Sequence, residues 1–212
     1  MSEIIIENIK KEHAKGLEIL QWACYPTLGE QEIMTEKHFV RHCDLFPEGQ
    51  FVALSNKKIV GLGSGFLMEF DFDHIKHKFN EIMDYGYYSN HNPRGSYYYG
   101  TDISVHPDYR SQGIGSLLYQ ARKNLCIQLN LKGIVAGGLI PGYVHYKDQM
   151  TAKVYAEKVV LGELYDTTLS FQLSKGFKLR GMLEDYLEDS ASDNWATLIV
   201  WDNPQYRDAE SG

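Results

Sequence analysis

A strand, a glycine-containing turn and a helix follow one another in the middle of the chain, and this unit most constrains the fold. Residues 96–105 (SYYYGTDISV) are rich in aromatic and β-branched side chains, which predicts a strand. From Ile114 to Leu129 apolar residues recur at helical spacing, which predicts a helix with one buried stripe. Gly113 and Gly115 place the turn at the helix N-terminus, where free backbone N–H groups and the helix dipole attract an anion. The sequence therefore predicts a phosphate-binding turn.

Two common phosphate-binding motifs do not fit this turn. A Walker A loop has a Lys-Ser or Lys-Thr pair after its glycines, and none follows Gly115. A dinucleotide fingerprint has a third glycine where Leu118 stands, and its first glycine follows the strand directly, whereas residues 106–112 separate the strand from Gly113. The turn thus excludes ATP or GTP in the Walker mode and gives weak support to a dinucleotide.

The rest of the chain alternates strand and helix patterns, which predicts a mixed α+β fold with mostly antiparallel neighbouring strands. Further strands are predicted at residues 3–9, 50–55, 59–70, 132–140, 177–183 and 195–201. Helices are predicted at residues 13–24, 35–45, 74–83 and 168–175, with a partly helical excursion at 143–163. We expect one domain over residues 1–202 and a flexible tail at 203–212.

Composition narrows the class of protein and of partner. The formal net charge is -7, which argues against a nucleic-acid surface, because phosphate backbones bind basic faces. The three cysteines are far apart, which indicates free thiols in a reducing compartment. No run is long enough to span a bilayer, and Glu3 and Glu7 interrupt the short apolar run near the start. We therefore expect a cytoplasmic protein that binds neither nucleic acid nor membrane.

A third phosphate-binding motif matches the turn. Residues 110–115 (RSQGIG) fit the pattern Arg/Gln-x-x-Gly-x-Gly/Ala, preceded by a strand and followed by a helix, and residues 171–177 (FQLSKGF) add a short helix and a closing Gly-Phe pair. In this order they resemble the acyl-CoA loop of the GNAT family of N-acetyltransferases. The longer run over residues 91–125, with GGLIPGY and LSFQLSKGF after it, resembles the acetyltransferase-like domains fused to carbon-nitrogen hydrolases. The resemblance implies a GNAT-like acyl-CoA N-acyltransferase fold, with a mixed sheet of about seven strands flanked by helices.

The resemblance also implies a binding site for acetyl-CoA as co-substrate. The strand that ends at Val105 would pair with the pantetheine arm, an N–H near Ile103 or Ser104 would face the thioester oxygen, and the amides of residues 112–116 with Arg110 would hold the pyrophosphate. The residues expected at this site are Ile103, Ser104, Val105, Arg110, Ser111, Gln112, Gly113, Ile114, Gly115, Ser116 and Gln172.

Catalytic groups are less well defined by the resemblance. The family often has a tyrosine acid four residues before the Gly of Gly-Phe, where this chain has Gln172, which cannot act as an acid. The strand offers Tyr99, Thr101 and Asp102 as candidates for proton transfer, and regular alternation predicts that Thr101 and Asp102 point to opposite faces. Core packing for Tyr99 and a capping role for Asp102 are the alternatives.

The residues after the next strand lie where acceptors enter in the family. They offer Tyr143, His145 and Tyr146 as contacts of a small-molecule or peptide amine, with loop anchoring as the alternative. The function implied is transfer of an acetyl group from acetyl-CoA to an amine by direct attack in a ternary complex. A CoA or acetyl-CoA sensor without turnover is the alternative, because Gln172 replaces the acid.

Histidines and acidic residues elsewhere favour simpler interpretations. Two groups contain metal-ligating residue types without a full ligand set, so we expect solvated side chains and no metal: Asp71, Asp73, His74 and His77; His38, His42 and Cys43. The acidic run over 184–193 predicts a solvated loop. The excursions at 71–96 and 143–163 could form a lid or a homodimer surface.

Overall fold

A computed structural model of the protein describes residues 3–208. Its seven strands form one sheet in the order β1-β2-β3-β4-β5-β7-β6. The strands are β1 (Ile4–Asn8), β2 (Phe51–Ser55), β3 (Lys58–Met68), β4 (Tyr97–Val105), β5 (Gly133–Leu139), β6 (Lys178–Leu183) and β7 (Ala196–Asp202). The α-helices are α1 (Ala14–Cys24), α2 (Glu36–Leu45), α3 (Phe79–Ile82), α4 (Ile114–Gln128), α5 (Ala152–Val160) and α6 (Leu169–Ser174). None of the helices described there is long and apolar enough to cross a membrane.

The strand pairing is mixed, as the sequence predicts. β4 and β5 are parallel, and the other neighbouring strands are antiparallel. The connection between the two parallel strands is α4, which is the arrangement expected of a crossover unit. The chain thus has the α+β architecture of a seven-stranded sheet with helices on both faces.

Helices cover the sheet on two sides and divide the core into two clusters. On one side, α1 and α2 bury residues such as Leu17 and Phe39 against Leu62 and Phe66 of β3. On the other side, α4, α5 and α6 bury a second cluster that includes Leu118. We call these sides the α1 face and the α4 face. Each strand alternates between them, so the face on which a side chain lies decides what it can contact.

The first excursion contains less helix than predicted. Only α3 is α-helical within residues 74–83, and Lys78 before it is extended. Side chains upstream bind the backbone instead: the Asp73 N–H donates to Asp71 Oδ1 at 2.9 Å, and His77 Nδ1 lies 2.7 Å from the Ile75 carbonyl. Such local bonds compete with helical ones. His74 is exposed as expected, but His77 is half-buried.

The expectation that His38 and His42 are solvated is wrong. Both are buried, because this side of α2 packs against the first excursion rather than facing water. The His42 ring stacks on Tyr88 at 3.8 Å between centroids, and its Nε2 donates to the Gly86 carbonyl at 2.7 Å. Burial lowers the pKa of His42 to about 3. This imidazole is therefore neutral in the folded protein.

The acidic loop, which the sequence predicts to be solvated, is partly buried. Within 184–195, Tyr186, Asp189 and Ser192 are buried, and the Gly29 N–H donates to the Glu188 carbonyl at 2.9 Å. The β6–β7 loop therefore lies against the α1–α2 loop and covers part of the α1 face.

The first residues of the expected tail are held by the domain. Asn203 is buried and its Nδ2 donates to the Leu131 carbonyl at 2.8 Å. Asn130 and Arg207 exchange two hydrogen bonds. Residues 203 and 207 are thus bonded to the domain, residues 209–212 lie outside the described part, and flexibility of the segment stays a prediction.

Acidification should reveal the buried His42. Its folded-state pKa is lowered to about 3, so the unfolded chain binds one more proton below the ordinary value of 6.5. Stability should therefore fall as pH drops from 6.5 toward 3, by about 1.4 kcal/mol per pH unit from this residue. Urea unfolding between pH 7.5 and 5 measures the slope. His42→Gln should reduce the slope by about one proton and His74→Gln should not; equal slopes in all three proteins would contradict the assignment.

Candidate active site

The parallel strands β4 and β5 separate part-way along their length. They pair from Tyr97 with Gly133 to Gly100 with Ala136, and no pair follows in the described chain. Residues 101–105 and 137–139 therefore diverge and leave a gap between the two strands. On its far side β4 still pairs with β3, so the backbone groups of 101–105 that point away from β3 face this gap. An extended ligand can pair with them as an additional strand.

A β-bulge lies at the start of the gap. In β3, Ser64 is opposite Asp102 and Gly65 is opposite Gly100, so Thr101 is the extra residue in β4. Its hydroxyl bonds to Ser64 at 3.0 Å and also to Tyr88, and both partners lie on the α1 face.

The bulge corrects the expectation that Thr101 and Asp102 point to opposite faces. Asp102 accepts hydrogen bonds from Gln21 and, at 2.8 Å, from the Tyr25 hydroxyl, both of α1 or its C-cap. Thr101 and Asp102 therefore both face α1. Burial raises the pKa of Asp102, and the bonds from Tyr25 and Gln21 oppose that rise. Both carboxylate oxygens are occupied, so proton transfer at Asp102 would have to pass through a partner.

Arg122 of α4 secures the bulge from the opposite face. Its side chain is only 2% exposed, and its Nη2 donates to the Ser64 carbonyl at 2.8 Å and to the Asp102 carbonyl. Ser64 and Asp102 are paired across β3 and β4 directly beside the register shift. Gly100 leaves room for the guanidinium, because a Cβ there would lie 2.6 Å from its Nη1. Arg122 thus fixes the place where the strands part.

The predicted phosphate-binding turn has the expected backbone. Ser111 and Gly113 adopt positive φ values of 62° and 82°, and α4 begins at Ile114. Within the described contacts the amides of Ser111, Gln112, Gly113, Ile114 and Gly115 have no acceptor. The Ser116 N–H instead donates to the Gly113 carbonyl at 3.0 Å, and a contact of Ser116 with the cofactor stays a prediction. Five free amides at the positive end of a helix form a site for phosphate.

The remaining residues predicted for the cofactor lie around the gap. Ile103 and Val105 pack toward the α4 face, whereas Ser104 is buried on the α1 face beside Cys24. The Arg110 side chain is exposed and its Nε donates to the Val105 carbonyl at 3.2 Å. The strand end and the turn are thereby joined directly.

Gln172 lies against β5 on the α4 face. It is 7% exposed, its Oε1 has no partner in the described part of the chain, and a Cβ on Gly138 would lie 2.6 Å from that oxygen. The Tyr119 side chain lies near it: burial raises the pKa of Tyr119, and the proximity of Gln172 opposes that rise. The Tyr119 hydroxyl therefore lies close to Gln172, whose own side chain has no hydroxyl.

Tyr99 is fully buried on the α1 face in a hydrogen-bonded cluster. Its hydroxyl lies 2.9 Å from that of Tyr186 and 2.6 Å from His77 Nε2. The structure thus brings Tyr99, Thr101 and Asp102 to one face of β4. The sequence does not single out Tyr186, which lies within the acidic run, and its pattern predicts a solvated His77.

The residues predicted to contact the acceptor do not form one group. Tyr143 is buried in the α4-face cluster and its hydroxyl donates to the Met150 carbonyl at 3.1 Å. His145 is exposed, and the Tyr146 ring packs on Tyr155 at 5.3 Å between centroids. Packing accounts for the two tyrosines, and an acceptor contact at any of the three stays a prediction.

A comparison with known families agrees with this geometry. Residues 14–140 match the family model described as Acetyltransferase (GNAT) family. The chain belongs to the GNAT family. The match covers the gap, the bulge and the phosphate-binding turn. Membership of this family supports acyl transfer from a CoA-type donor to an amine.

Two proteins of Bacillus subtilis (strain 168) are similar over almost the whole chain. The uncharacterized N-acetyltransferase YkwB is 34% identical over 207 residues, which are 97% of this chain and 92% of YkwB. The probable hydrolase YhcX is 42% identical over 205 residues, which are 96% of this chain but 39% of YhcX. The chain thus spans well under half the length of YhcX, which agrees with the resemblance to GNAT-like domains in longer proteins.

Solved structures show the same fold. The loading GNATL domain of CurA from Lyngbya majuscula has a TM-score of 0.81 at 20% identity, covering 95% of this chain and 98% of that domain. The GphF GNAT-like decarboxylase in complex with isobutyryl-CoA has a TM-score of 0.76 at 18% identity, covering 94% of this chain and 99% of GphF. At these identities the likeness concerns the fold.

A substitution at Gly113 should separate donor binding from stability. Gly113→Leu would force a side chain into positive φ and place it among the free amides, where a Cβ meets no atom of the chain within 4 Å. We expect a loss of about 1–2 kcal/mol of stability and a drop in affinity for CoA of at least about tenfold. Thermal unfolding and calorimetric titration measure the two effects.

Gly162→Leu is the matched control. Gly162 also has positive φ, 75°, and open space around its Cβ position, but it lies between α5 and α6. It should lose similar stability and keep its CoA affinity. Normal CoA binding by Gly113→Leu would mean that the donor lies elsewhere.

Proposed function

We propose that the protein transfers an acetyl group from acetyl-CoA to an amine by direct attack in a ternary complex. The observation that carries this proposal is the gap between β4 and β5, which begins beyond Gly100 and leads to the free amides at the start of α4. An extended thioester can lie in such a gap with its pyrophosphate on the turn and its carbonyl between the strands.

The donor occupies the α4 side in this proposal. The amides of residues 111–115 bind the pyrophosphate, and the charge of Arg110 attracts it. The strand over Ile103–Val105 pairs with the pantetheine arm. A backbone N–H near Ile103 or Ser104 donates to the thioester oxygen as negative charge develops on it, which lowers the barrier to attack.

The acceptor approaches from the α1 face, because the donor fills the other side. The α1–α2 and β6–β7 loops enclose this face, and Tyr99, Thr101 and Asp102 supply its polar groups. The amine must lose a proton to become a nucleophile, and the leaving thiolate must gain one. Exclusion of water by the two loops protects the thioester from hydrolysis.

The net charge of -7 is compatible with a cationic amine. Tyr143, His145 and Tyr146 remain candidates for contacts with an acceptor at the end of β5. We also propose that the protein acts in the cytoplasm, requires no metal, and forms a homodimer if the excursions associate.

A sensor without turnover is the alternative function. Gln172 supports it, because a glutamine cannot protonate the thiolate and its Oε1 has no hydrogen-bond partner in the described residues. Tyr119 beside it weakens this alternative, since a hydroxyl is available at the same place. The two functions differ in whether CoA thiol is released.

Calorimetric titration followed by a thiol-release assay tests the proposal. We expect acetyl-CoA to bind more tightly than CoA, with no binding of ATP or NAD, and a panel of small amines and peptide N-termini to release thiol. Isobutyryl-CoA tests for a longer acyl donor. Equal binding of CoA and acetyl-CoA, with no thiol release from any amine, would favour the sensor. Absence of CoA binding would overturn both.

A further inference from the structure

Three side chains form a continuous hydrogen-bonded chain on the α1 face. The hydroxyls of Tyr186 and Tyr99 lie 2.9 Å apart, and the Tyr99 hydroxyl lies 2.6 Å from His77 Nε2. His77 Nδ1 is 2.7 Å from the carbonyl of Ile75. Tyr99 and Tyr186 are 0% and 2% exposed, so these bonds are shielded from competing water.

The bond between His77 Nδ1 and the Ile75 carbonyl determines which atom donates in each of the other two hydrogen bonds. A carbonyl can only accept, so His77 carries its proton on Nδ1, and Nε2 of the neutral ring is an acceptor. Tyr99 therefore donates to Nε2, and its oxygen accepts the proton of Tyr186. The Tyr186 oxygen keeps lone pairs with which it can accept a proton from a group other than Tyr99 and His77. The arrangement can move one proton from Tyr186 to His77 without ionising a tyrosine.

The two ends of this chain lie in different environments. A Cβ on Gly137 would collide with the Tyr186 hydroxyl, and Gly137 is the first residue of β5 beyond its last pair with β4. The hydroxyl therefore lies beside the gap, on the face from which the acceptor approaches. His77 is half-buried, and its neighbours Lys76 and Lys78 are exposed. A proton that reaches His77 can thus pass to solvent.

We propose that Tyr186, Tyr99 and His77 form a relay that takes the proton from the acceptor ammonium. This inference rests on the proposed function. The ammonium loses one proton to the Tyr186 oxygen, Tyr186 passes its own to Tyr99, and Tyr99 passes its own to His77 Nε2. The neutral amine then forms the N–C bond as the C–S bond breaks, and its second proton ends on the thiolate sulfur. Tyr186 touches the substrate, and Tyr99 and His77 act through it.

The surroundings of His77 keep it ready to accept. Burial lowers the pKa of His77, and Glu81 of α3 opposes that shift. The ring packs against Phe70, Tyr99 and Tyr186, which carry no charge at neutral pH. Burial also raises the pKa of both tyrosines, so neither serves as the final base. The relay operates above the pKa of His77 and fails as pH falls through it, below the ordinary value of 6.5.

Kinetics of four variants test the relay: Tyr99→Phe, His77→Ala, the double variant and the control His74→Ala. His74 is an exposed histidine, 86% accessible, that bonds Asp71 and lies outside the chain of bonds. We expect Tyr99→Phe and His77→Ala each to lower kcat about 100-fold with an amine used by the wild type. The kcat of the double variant should be no lower than that of the single variants, because both changes interrupt the same proton path. His74→Ala should match the wild type.

Three further readouts distinguish a relay from a structural role. Imidazole should restore turnover to His77→Ala and leave Tyr99→Phe unchanged. The acid limb of the pH profile of kcat/KM should be present in the wild type and His74→Ala and lost in His77→Ala. Affinity for acetyl-CoA should be unchanged in all four. Each variant should stay folded at the assay temperature, although the loss of buried hydrogen bonds and packing lowers the thermal midpoints of Tyr99→Phe and His77→Ala. Wild-type rates in Tyr99→Phe and His77→Ala would overturn the relay and leave the proposed function intact. Absence of turnover in the wild type would overturn both.

Discussion

The buried guanidinium of Arg122 is the contact on which the geometry of the site depends. Removing a cation from water costs several kcal/mol unless polar groups surround it. Here the carbonyls of Ser64 and Asp102 accept its bonds, and the rings of Tyr98 and Tyr119 lie 5.1 and 5.9 Å from it. Cation–π contacts and carbonyl dipoles offset part of that cost. Any rearrangement that moved these carbonyls would leave the charge unsatisfied, so β3 and β4 are held in the bulged register.

The bulge determines which chemistry each side of the sheet can perform. Without it, alternation would place Thr101 on one face and Asp102 on the other. With it, two consecutive polar side chains face α1, and Ile103 and Val105 line the α4 side with apolar groups. At this end of β4 the sheet is thus polar on the α1 side and apolar on the α4 side. One extra residue in β4 is sufficient to produce this division.

The sequence predicts those parts of the site that depend on local pattern. The strand, the turn and the helix between Tyr97 and Gln128 follow from β-propensity, glycine positions and helical periodicity, and the structure has all three. The α-helix predicted over residues 74–83 is shortened to Phe79–Ile82, because Asp71 and His77 bind nearby backbone instead. These side-chain bonds span as few residues as helical hydrogen bonds do. The geometry of the side chains decides which of the two sets forms, and the sequence pattern does not show it.

Contacts between distant segments explain the other errors. Regular alternation could not predict the bulge, since the register shift is set by Arg122, 58 positions from Ser64. His42 reads as a surface residue on an amphipathic helix until the first excursion covers it. Tyr186 lies in an acidic run, and its burial follows from contacts with Tyr99, His77 and Phe79, which belong to other segments. Burial of polar residues by loops is a tertiary effect, and propensity carries little information about it.

The consecutive glycines of β5 connect the two sides of the proposed reaction. Gly137 leaves space for the Tyr186 hydroxyl on the α1 face, and Gly138 leaves space for the Gln172 amide on the α4 face. Acyl transfer needs a group that accepts a proton from the amine and one that gives a proton to the thiolate. The α1 side has a path that ends in a neutral histidine. On the α4 side, Gln172 cannot supply a proton, but its contact with Tyr119 places a hydroxyl within the same layer. A tyrosine hydroxyl therefore lies near Gln172, the residue that stands where the resemblance implies a tyrosine.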